Sequence, residues 1–301
     1  MEDLRLTVCN LGVCVPDADQ PILASDHRPD AHAVVSLSRE RDREKVRRFG
    51  DLFPTPVSGG GIVNVNACVW STLLGSQLDA GFTGDLLEIG VWQGHGSAFA
   101  AQYRRPGEKL IVLDKFAELP EFVPTLVKAD EGAEEALTYY KGCSLAARKE
   151  GRASEFRNRV RWAHIDGEHS YEAVMSDLDL VADLMTEDGV IVIDDFFSFA
   201  SPSITEAVFT WLRRNDDRFV LFLCGYFKAY LCSSRKLRHY LNACHELPER
   251  LGDFGHKAML CMSGWSAERP YFGIDVSWSG HRYQRIGEQI HDAALSDLFF
   301  T

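Results

Sequence analysis

The sequence lacks a long apolar run, a paired-cysteine motif and an excess of basic residues, and each absence excludes a class of protein. No apolar stretch approaches the roughly 20 residues that a membrane-spanning helix needs. None of the eight cysteines forms a Cys-x-x-Cys pair, and in a chain of 301 residues they do not suggest a disulfide scaffold. The net charge of −12 argues against a nucleic-acid partner, because phosphate binding needs a basic surface.

The composition is that of a soluble globular protein. Hydrophobic residues make up 46% and charged residues 25% of the chain. The first residues are acidic and no long apolar segment follows them, which differs from a secretory signal. We therefore expect a cytoplasmic protein, and the negative charge favours an enzyme acting on a neutral or cationic small molecule.

Three segments differ in pattern. Residues 1–62 form an N-terminal extension punctuated by proline, with a mixed-charge run at 39–48 that predicts a solvated helix face. Its end at 50–62, which includes three consecutive glycines, is a candidate lid or oligomer segment. Residues 63–234 form the main domain, and residues 235–301 a C-terminal extension with a helix and an aromatic-rich tail of undefined fold.

Strands alternate with helices through the main domain, which predicts a doubly wound α/β sheet. The predicted strands span 85–89, 109–113, 137–141, 160–165 and 189–193, followed by a closing antiparallel hairpin at 219–223 and 228–232. The predicted helices span 63–78, 97–103, 171–185 and 202–215, with a further helix that begins at residue 144.

Two of the apolar strands end at acidic residues. The first is followed by Asp166, and the second by Asp194 and Asp195. Ligands of an open parallel sheet bind outside the carboxyl ends of its strands. Three carboxylates at that edge would repel one another, so a divalent cation such as Mg²⁺ is predicted among them. His169 then lies beside that cation as a candidate base.

The first strand leads into a glycine-containing turn. Gly90 and Gly94 permit close backbone approach to a ligand, but the dinucleotide fingerprint Gly-x-Gly-x-x-Gly is absent. Glu88 would suit a ligand ammonium, and Asp114 at the end of the second strand would suit ribose hydroxyls. Together these residues favour S-adenosylmethionine over NAD.

With these motifs, the chain resembles the class I S-adenosylmethionine-dependent methyltransferases. More narrowly, it resembles the metal-dependent O-methyltransferases of the macrocin and mycinamicin sugar type, with the related cephalosporin hydroxylase-like group. The resemblance covers about residues 60–232 and depends on the segments 88–94, 165–171 and 192–195 together with Asp114. It implies a Rossmann-like sheet and an S-adenosylmethionine-dependent O-methyltransferase.

The resemblance also implies roles for individual residues. Glu88, Gly90 and Gly94 would hold the methionine end and ribose of the cofactor, and Asp114 the ribose. Ser144, in the turn after the third strand, would lie against the adenine. The metal ligands would be Asp166, Asp194 and Asp195, with catalytic roles for Asp166 and for His169 as general base.

Each of these residues has an alternative interpretation. Asp194 and Asp195 would also serve as a helix cap or as partners of surface arginines, and Glu88 as an internally paired carboxylate. His169 would also serve a purely structural purpose, and His164 is interpreted as a packed core histidine.

The wider alternatives are an NAD-dependent oxidoreductase, a metal-dependent hydrolase or hydroxylase, and a non-catalytic binding protein on the same sheet. The predicted acceptor is a small molecule with a hydroxyl group. A sugar of a secondary metabolite is the first choice, and a phenol or catechol the second. Antibiotic biosynthesis is the setting that the resemblance implies, and a homodimer or higher homo-oligomer is expected.

Overall fold

A nine-stranded mixed sheet forms the centre of the protein. The computed structural model describes residues 31–54, 64–262 and 271–277. Most of the candidate lid and of the aromatic-rich tail lies outside these described residues. The strands are β1 (Asp85–Ile89), β2 (Leu110–Asp114), β3 (Leu137–Lys141), β4 (Val160–Ile165), β5 (Met185–Ile193), β6 (Phe219–Gly225), β7 (Lys228–Ser233), β8 (Lys257–Met262) and β9 (Phe272–Ser277).

Helices cover both faces of this sheet. They are α1 (Ala31–Leu52), α2 (Asn64–Asp79), α3 (His95–Ala101), α4 (Leu119–Ala129), α5 (Ala133–Ala136), α6 (Ser144–Glu150), α7 (Tyr171–Leu184), α8 (Pro202–Arg214), α9 (Leu237–Cys244) and α10 (Leu247–Gly252). One hydrophobic core lies between one face of the sheet and helices α1, α2, α3, α4, α9 and α10. The other lies between the opposite face and helices α6, α7 and α8.

The strand order is β3-β2-β1-β4-β5-β7-β6-β9-β8. The first five strands of that order are mutually parallel, and β7 runs antiparallel to both β5 and β6. The predicted doubly wound sheet with a closing antiparallel hairpin is therefore confirmed. Strands β2 and β3 are added on one side of β1, and β4 and β5 on its other side. The strand order therefore reverses between β1 and β4.

Two features of the fold were not predicted from the sequence. Helix α4 contains Pro120 and Pro124, residues that usually disrupt helices, but Pro120 lies in the first turn, where proline is tolerated. The described part of the C-terminal extension adds β8 and β9 to the same sheet, with β9 parallel to β6.

Helix α1 packs against the domain through a buried acid. Asp42 is 1% exposed and accepts a hydrogen bond from Arg250 of α10 at 2.7 Å and one from Arg41 at 2.9 Å. The mixed-charge run is therefore only partly the solvated face predicted for it. None of the helices among the described residues is long and apolar enough to cross a membrane.

Candidate active site

A cavity of about 740 Å³ opens at the carboxyl ends of the parallel strands. Its wall includes residues that follow β1, β2, β3, β4 and β5, so it spans the point where the strand order reverses. Doubly wound sheets bind ligands at this point, and the volume lies within the range of small-molecule sites. The walls contain six acidic residues and two lysines.

The turn from β1 to α3 is built from glycines that approach other backbone closely. Gly90 has φ +84°, and a Cβ placed there would lie 1.9 Å from the carbonyl oxygen of Asp166. Gly96 lines the cavity, and its Cβ would lie 2.0 Å from Oε1 of Glu88. Gly94 lies outside the cavity wall, and its Cβ would meet Phe122 of α4 at 3.1 Å. Glycine at 94 is thus favoured by its φ of +82° and by the contact with α4, and cofactor binding by Gly94 stays a prediction.

Asp114 at the end of β2 organises two loops. Its Oδ2 accepts from the backbone N–H groups of Val91 and Trp92, and its Oδ1 from those of Phe116 and Ala117. Burial alone would raise the pKa of Asp114, but these four donors outweigh it and lower the pKa below its ordinary value. The carboxylate therefore remains ionised at the cavity wall and shapes the loops that follow β1 and β2.

Glu88 and His164 face each other across adjacent strands. The two residues are paired in the β1–β4 register, and Nδ1 of His164 donates to Oε1 of Glu88 at 2.7 Å. Oε2 of Glu88 accepts from the backbone N–H of Ser97 at 2.8 Å and from its hydroxyl. Glu88 thus lines the cavity but is internally paired, the alternative that the sequence left open.

Asp194 follows β5 and pairs with two buried cationic groups. Lys228, at the start of β7, forms an ion pair with Oδ2 of Asp194, and Nε2 of His164 lies 3.7 Å from the same oxygen. Burial opposes the charged form of His164, but Asp194 and Glu88 outweigh it and raise the pKa of His164 to about 9. Burial would also raise the pKa of Asp194, but Lys228 and His164 hold it below its ordinary value. His164 is therefore more than the packed core histidine predicted from the sequence.

His169 lies between the remaining two acids. Its Nε2 is 3.7 Å from Oδ1 of Asp166, and its Nδ1 is 3.4 Å from Oδ2 of Asp195. The interaction with Asp166 raises the pKa of His169 above its ordinary value. Burial and the repulsion of Asp194 raise the pKa of Asp195. The three predicted carboxylates and the predicted base therefore converge.

One group in this cluster has the spacing of metal ligands, although the raised pKa of His164 favours the protonated ring, which does not bind metal. Ligand atoms of His164, Asp166 and Asp194 all lie within 4.8 Å of one another. Asp195 belongs neither to this group nor to the cavity wall, although the sequence predicted it as a ligand. Its assignment to the metal stays a prediction.

Ser144 lines the cavity at the start of α6, where the sequence predicted it. Beneath the loop after β4 lies Asp177 of α7, which is 1% exposed. A Cβ placed on Gly167, which lines the cavity, would lie 3.2 Å from Oδ2 of Asp177. Burial raises the pKa of Asp177 to about 6.

Backbone strain is concentrated at this edge of the sheet. Among the described residues, six other than glycine have positive φ, and five of them follow β1, β5 or β6: Trp92, Asp195, Phe197, Tyr226 and Phe227. Each costs roughly 1–2 kcal/mol for a residue with a Cβ atom. Such strain is characteristic of functional sites, where the surrounding structure holds the backbone in place.

The sequence therefore predicted the acidic residues and the base of this cluster, but it missed the two cationic groups that pair with Asp194. Asp166, His169, Asp194 and Asp195 lie together as expected, while Lys228 and the bridging role of His164 were missed. A signal was available, because Glu88 and His164 each precede the last residue of their strand, and residues at equivalent positions of neighbouring parallel strands share a face.

Replacing Gly90 by alanine tests the close approach of β1 and β4. Gly107 has a similar φ of +87°, but a Cβ placed there would have no atom within 4 Å, so Gly107→Ala carries only the left-handed backbone cost. We expect Gly107→Ala to lower the free energy of unfolding by about 1–2 kcal/mol. Gly90→Ala should cost at least about 2 kcal/mol more, because the β4 loop must move. Urea unfolding measures both, and equal losses would contradict the contact.

Replacing Asp177 by asparagine tests the buried acid beneath the cavity. Because its folded pKa is raised from 3.8 to about 6, the wild-type protein loses stability as the pH rises through that interval. Asp177→Asn should therefore be more stable than wild type at pH 8, by roughly 3 kcal/mol for two pKa units, and the difference should shrink towards pH 4. Asp183→Asn, an exposed site on the same helix, is the control. A difference that does not depend on pH would refute the raised pKa.

A family model described as a methyltransferase domain matches residues 87–196. This segment runs from within β1 to just beyond β5 and contains the carboxylate cluster and the glycine turn. No curated protein matches the chain.

Several solved structures are similar to the chain. They include the O-methyltransferase NovP, with 14% identity over 68% of this chain and 100% of that one at a TM-score of 0.44. CalS11, a TDP-rhamnose 3'-O-methyltransferase of calicheamicin biosynthesis, is 18% identical over 63% of this chain and 93% of its own, with a TM-score of 0.44. MycE from the mycinamycin pathway, in complex with Mg and SAH, is 13% identical over 63% of this chain and 54% of its own, with a TM-score of 0.46.

The family match covers every residue of the cavity wall except Lys228, and it agrees with the resemblance found in the sequence. The cavity lies at the carboxyl ends of the parallel strands, as expected of a doubly wound sheet. Residues 87–196 of this chain are therefore similar to a methyltransferase domain.

Proposed function

We propose that the chain transfers a methyl group from S-adenosylmethionine to a hydroxyl group of a small molecule. The observation that carries the proposal is the position of His169 between Asp166 and Asp195, at the edge of a cavity that extends to the ends of β1 and β2. The site thus combines a proton acceptor with a pocket of the size and position that a cofactor needs.

The charge of the cavity favours a cationic cofactor. Six acidic residues against two lysines and the cationic His164 leave the wall negative, which would repel the phosphates of NAD and attract a sulfonium and an ammonium group. S-adenosylmethionine, when bound, supplies the methyl group on its sulfonium. The chain would contribute the backbone around Gly90 and Gly96, the loops ordered by Asp114, and Ser144 in the turn after β3.

A divalent cation fits the carboxylates at the ends of β4 and β5. Asp166 and Asp194 would hold it, with Asp195 beside them, because carboxylate oxygens are the preferred ligands of Mg²⁺. A bound cation would supply the positive charge that lowers the pKa of a nearby acceptor hydroxyl.

His169 would take the proton from the acceptor. Its side chain is 43% exposed, so an acceptor that enters the cavity can reach it. Asp166 and Asp195 flank its two ring nitrogens and would stabilise the imidazolium that forms, and the Ser201 hydroxyl, 3.2 Å from Nδ1, would help to orient the ring. Holding acceptor oxygen, base and methyl group in line would account for much of the acceleration.

Aromatic side chains at the rim suit an acceptor with an apolar face. Trp92 and Phe116 line the cavity and are 45% and 79% exposed. A sugar presents C–H groups on one face of its ring and hydroxyls at its edge. A sugar of a secondary metabolite therefore remains our preferred acceptor, with a catechol or phenol second.

Methyl transfer from labelled S-adenosylmethionine tests the proposal. The acceptors would be a panel of methyl and aryl glycosides, catechol and phenol, each with Mg²⁺ and with EDTA. We expect transfer to at least one acceptor, and a loss of about 10²–10⁴-fold in His169→Gln with unchanged binding of S-adenosylhomocysteine.

His256→Gln provides a matched control, because His256 lies beside β8 and away from the cavity wall. It should transfer methyl groups at the wild-type rate. Full activity of His169→Gln would remove His169 as the base. Binding of S-adenosylhomocysteine without transfer to any acceptor of the panel would contradict the proposed acceptor class.

A further inference from the structure

Lys228 is a buried cation at the carboxylate cluster. It is 4% exposed, lines the same cavity as Asp166 and Asp194, and forms its ion pair with Asp194. Burying an ammonium group is unfavourable unless a partner of opposite charge is fixed nearby. The position of Lys228 is therefore tied to that of Asp194.

The backbone around Lys228 fixes this position. Ala229 pairs with Ile193 in the β5–β7 register, which places Lys228 opposite Asp194. The two residues that connect β6 to β7, Tyr226 and Phe227, both have positive φ. Hairpin turns with this geometry normally contain asparagine and glycine. The strained turn is held in part by the N–H of Phe196, which donates to the carbonyl of Phe227 at 2.9 Å.

Lys228 and His164 supply the positive charge among these acids. The sequence alone assigned that charge to a divalent cation. A metal cation that binds to Asp194 would lie beside the Lys228 ammonium at the same carboxylate. The two positive charges would repel each other strongly in this partly buried site. The ring of Trp70, whose centroid is 5.8 Å from Nζ of Lys228, offers a π face to the displaced ammonium.

We propose that Lys228 is the resident counter-ion of Asp194, a positioning residue that holds this carboxylate at the cavity until a divalent cation displaces it. The inference rests on the metal site of the proposed function and deepens it. It assigns to Lys228 the task of keeping the site assembled without metal, at the expense of metal affinity.

Binding of Mn²⁺ to the full-length, EDTA-treated protein tests the proposal. Electron paramagnetic resonance of the free ion gives the dissociation constant. Lys228→Met should bind Mn²⁺ at least about tenfold more tightly than wild type, because a competing positive charge is removed. Lys228→Arg keeps the charge and should stay within about twofold of wild type.

Lys236→Met is the matched control. Lys236 also pairs with an aspartate, Asp188, but it lies outside the cavity wall. Its removal should leave the Mn²⁺ affinity unchanged. Equal or weaker binding by Lys228→Met than by wild type would overturn the proposal, and so would the absence of Mn²⁺ binding in every variant.

Thermal unfolding covers the case in which Lys228→Met folds poorly without metal. Its unfolding midpoint should rise more with Mn²⁺ than that of wild type. Adding Asp194→Asn should raise the midpoint in EDTA and abolish the extra gain from Mn²⁺, because the unpaired carboxylate is gone. If the double variant keeps the tighter binding, the affinity arises elsewhere and the proposal fails.

The outcome is separate from that of the proposed function. Binding of S-adenosylhomocysteine and methyl transfer report on the methyl donor and acceptor, whereas the Mn²⁺ affinities report on Lys228. Tighter Mn²⁺ binding by Lys228→Met in a protein that neither binds S-adenosylhomocysteine nor transfers methyl groups would leave this inference standing and refute the proposed function.

Discussion

The active-site edge depends on how the chain neutralises carboxylates that it places at adjacent strand ends. Glu88, His164, Asp194 and Lys228 form a series of alternating charge across β1, β4, β5 and β7, in which all but the partly exposed Asp194 are buried. Each acid in the series has a cation as its neighbour, so burial is compatible with ionisation. Asp166 and Asp195 remain closer to solvent with His169 between them, which leaves the more accessible half of the cluster for chemistry.

The central sheet was predictable because its strands are short apolar runs bounded by glycine and acid. The predicted strand at 85–89 matches β1, and the predicted hairpin strands at 219–223 and 228–232 fall within β6 and β7. Helix α4 was missed because Pro120 and Pro124 resemble helix breakers when their position in the helix is unknown. Strands β8 and β9 were missed because they are stabilised by pairing with β6 and with each other, which is a long-range interaction.

The geometry of the site was predictable where the place of a residue follows from its position along one strand. The acids directly after β4 and β5 lie close together because their backbones continue the sheet. The backbone N–H groups of Asp166 and Asp194 donate to the carbonyl oxygens of Ile89 and Ile165. Lys228 was not predictable in this way. Its contact with Asp194 requires β7 to insert between β5 and β6, a topology that local pattern does not specify.

The central claim is that the cavity binds S-adenosylmethionine, and calorimetric titration of metal-free protein with S-adenosylhomocysteine and with NAD tests it most directly. We predict a single site for S-adenosylhomocysteine with micromolar affinity and no binding of NAD, because the acidic residues of the cavity disfavour phosphates. Binding of NAD, or failure of both ligands to bind, would contradict the account.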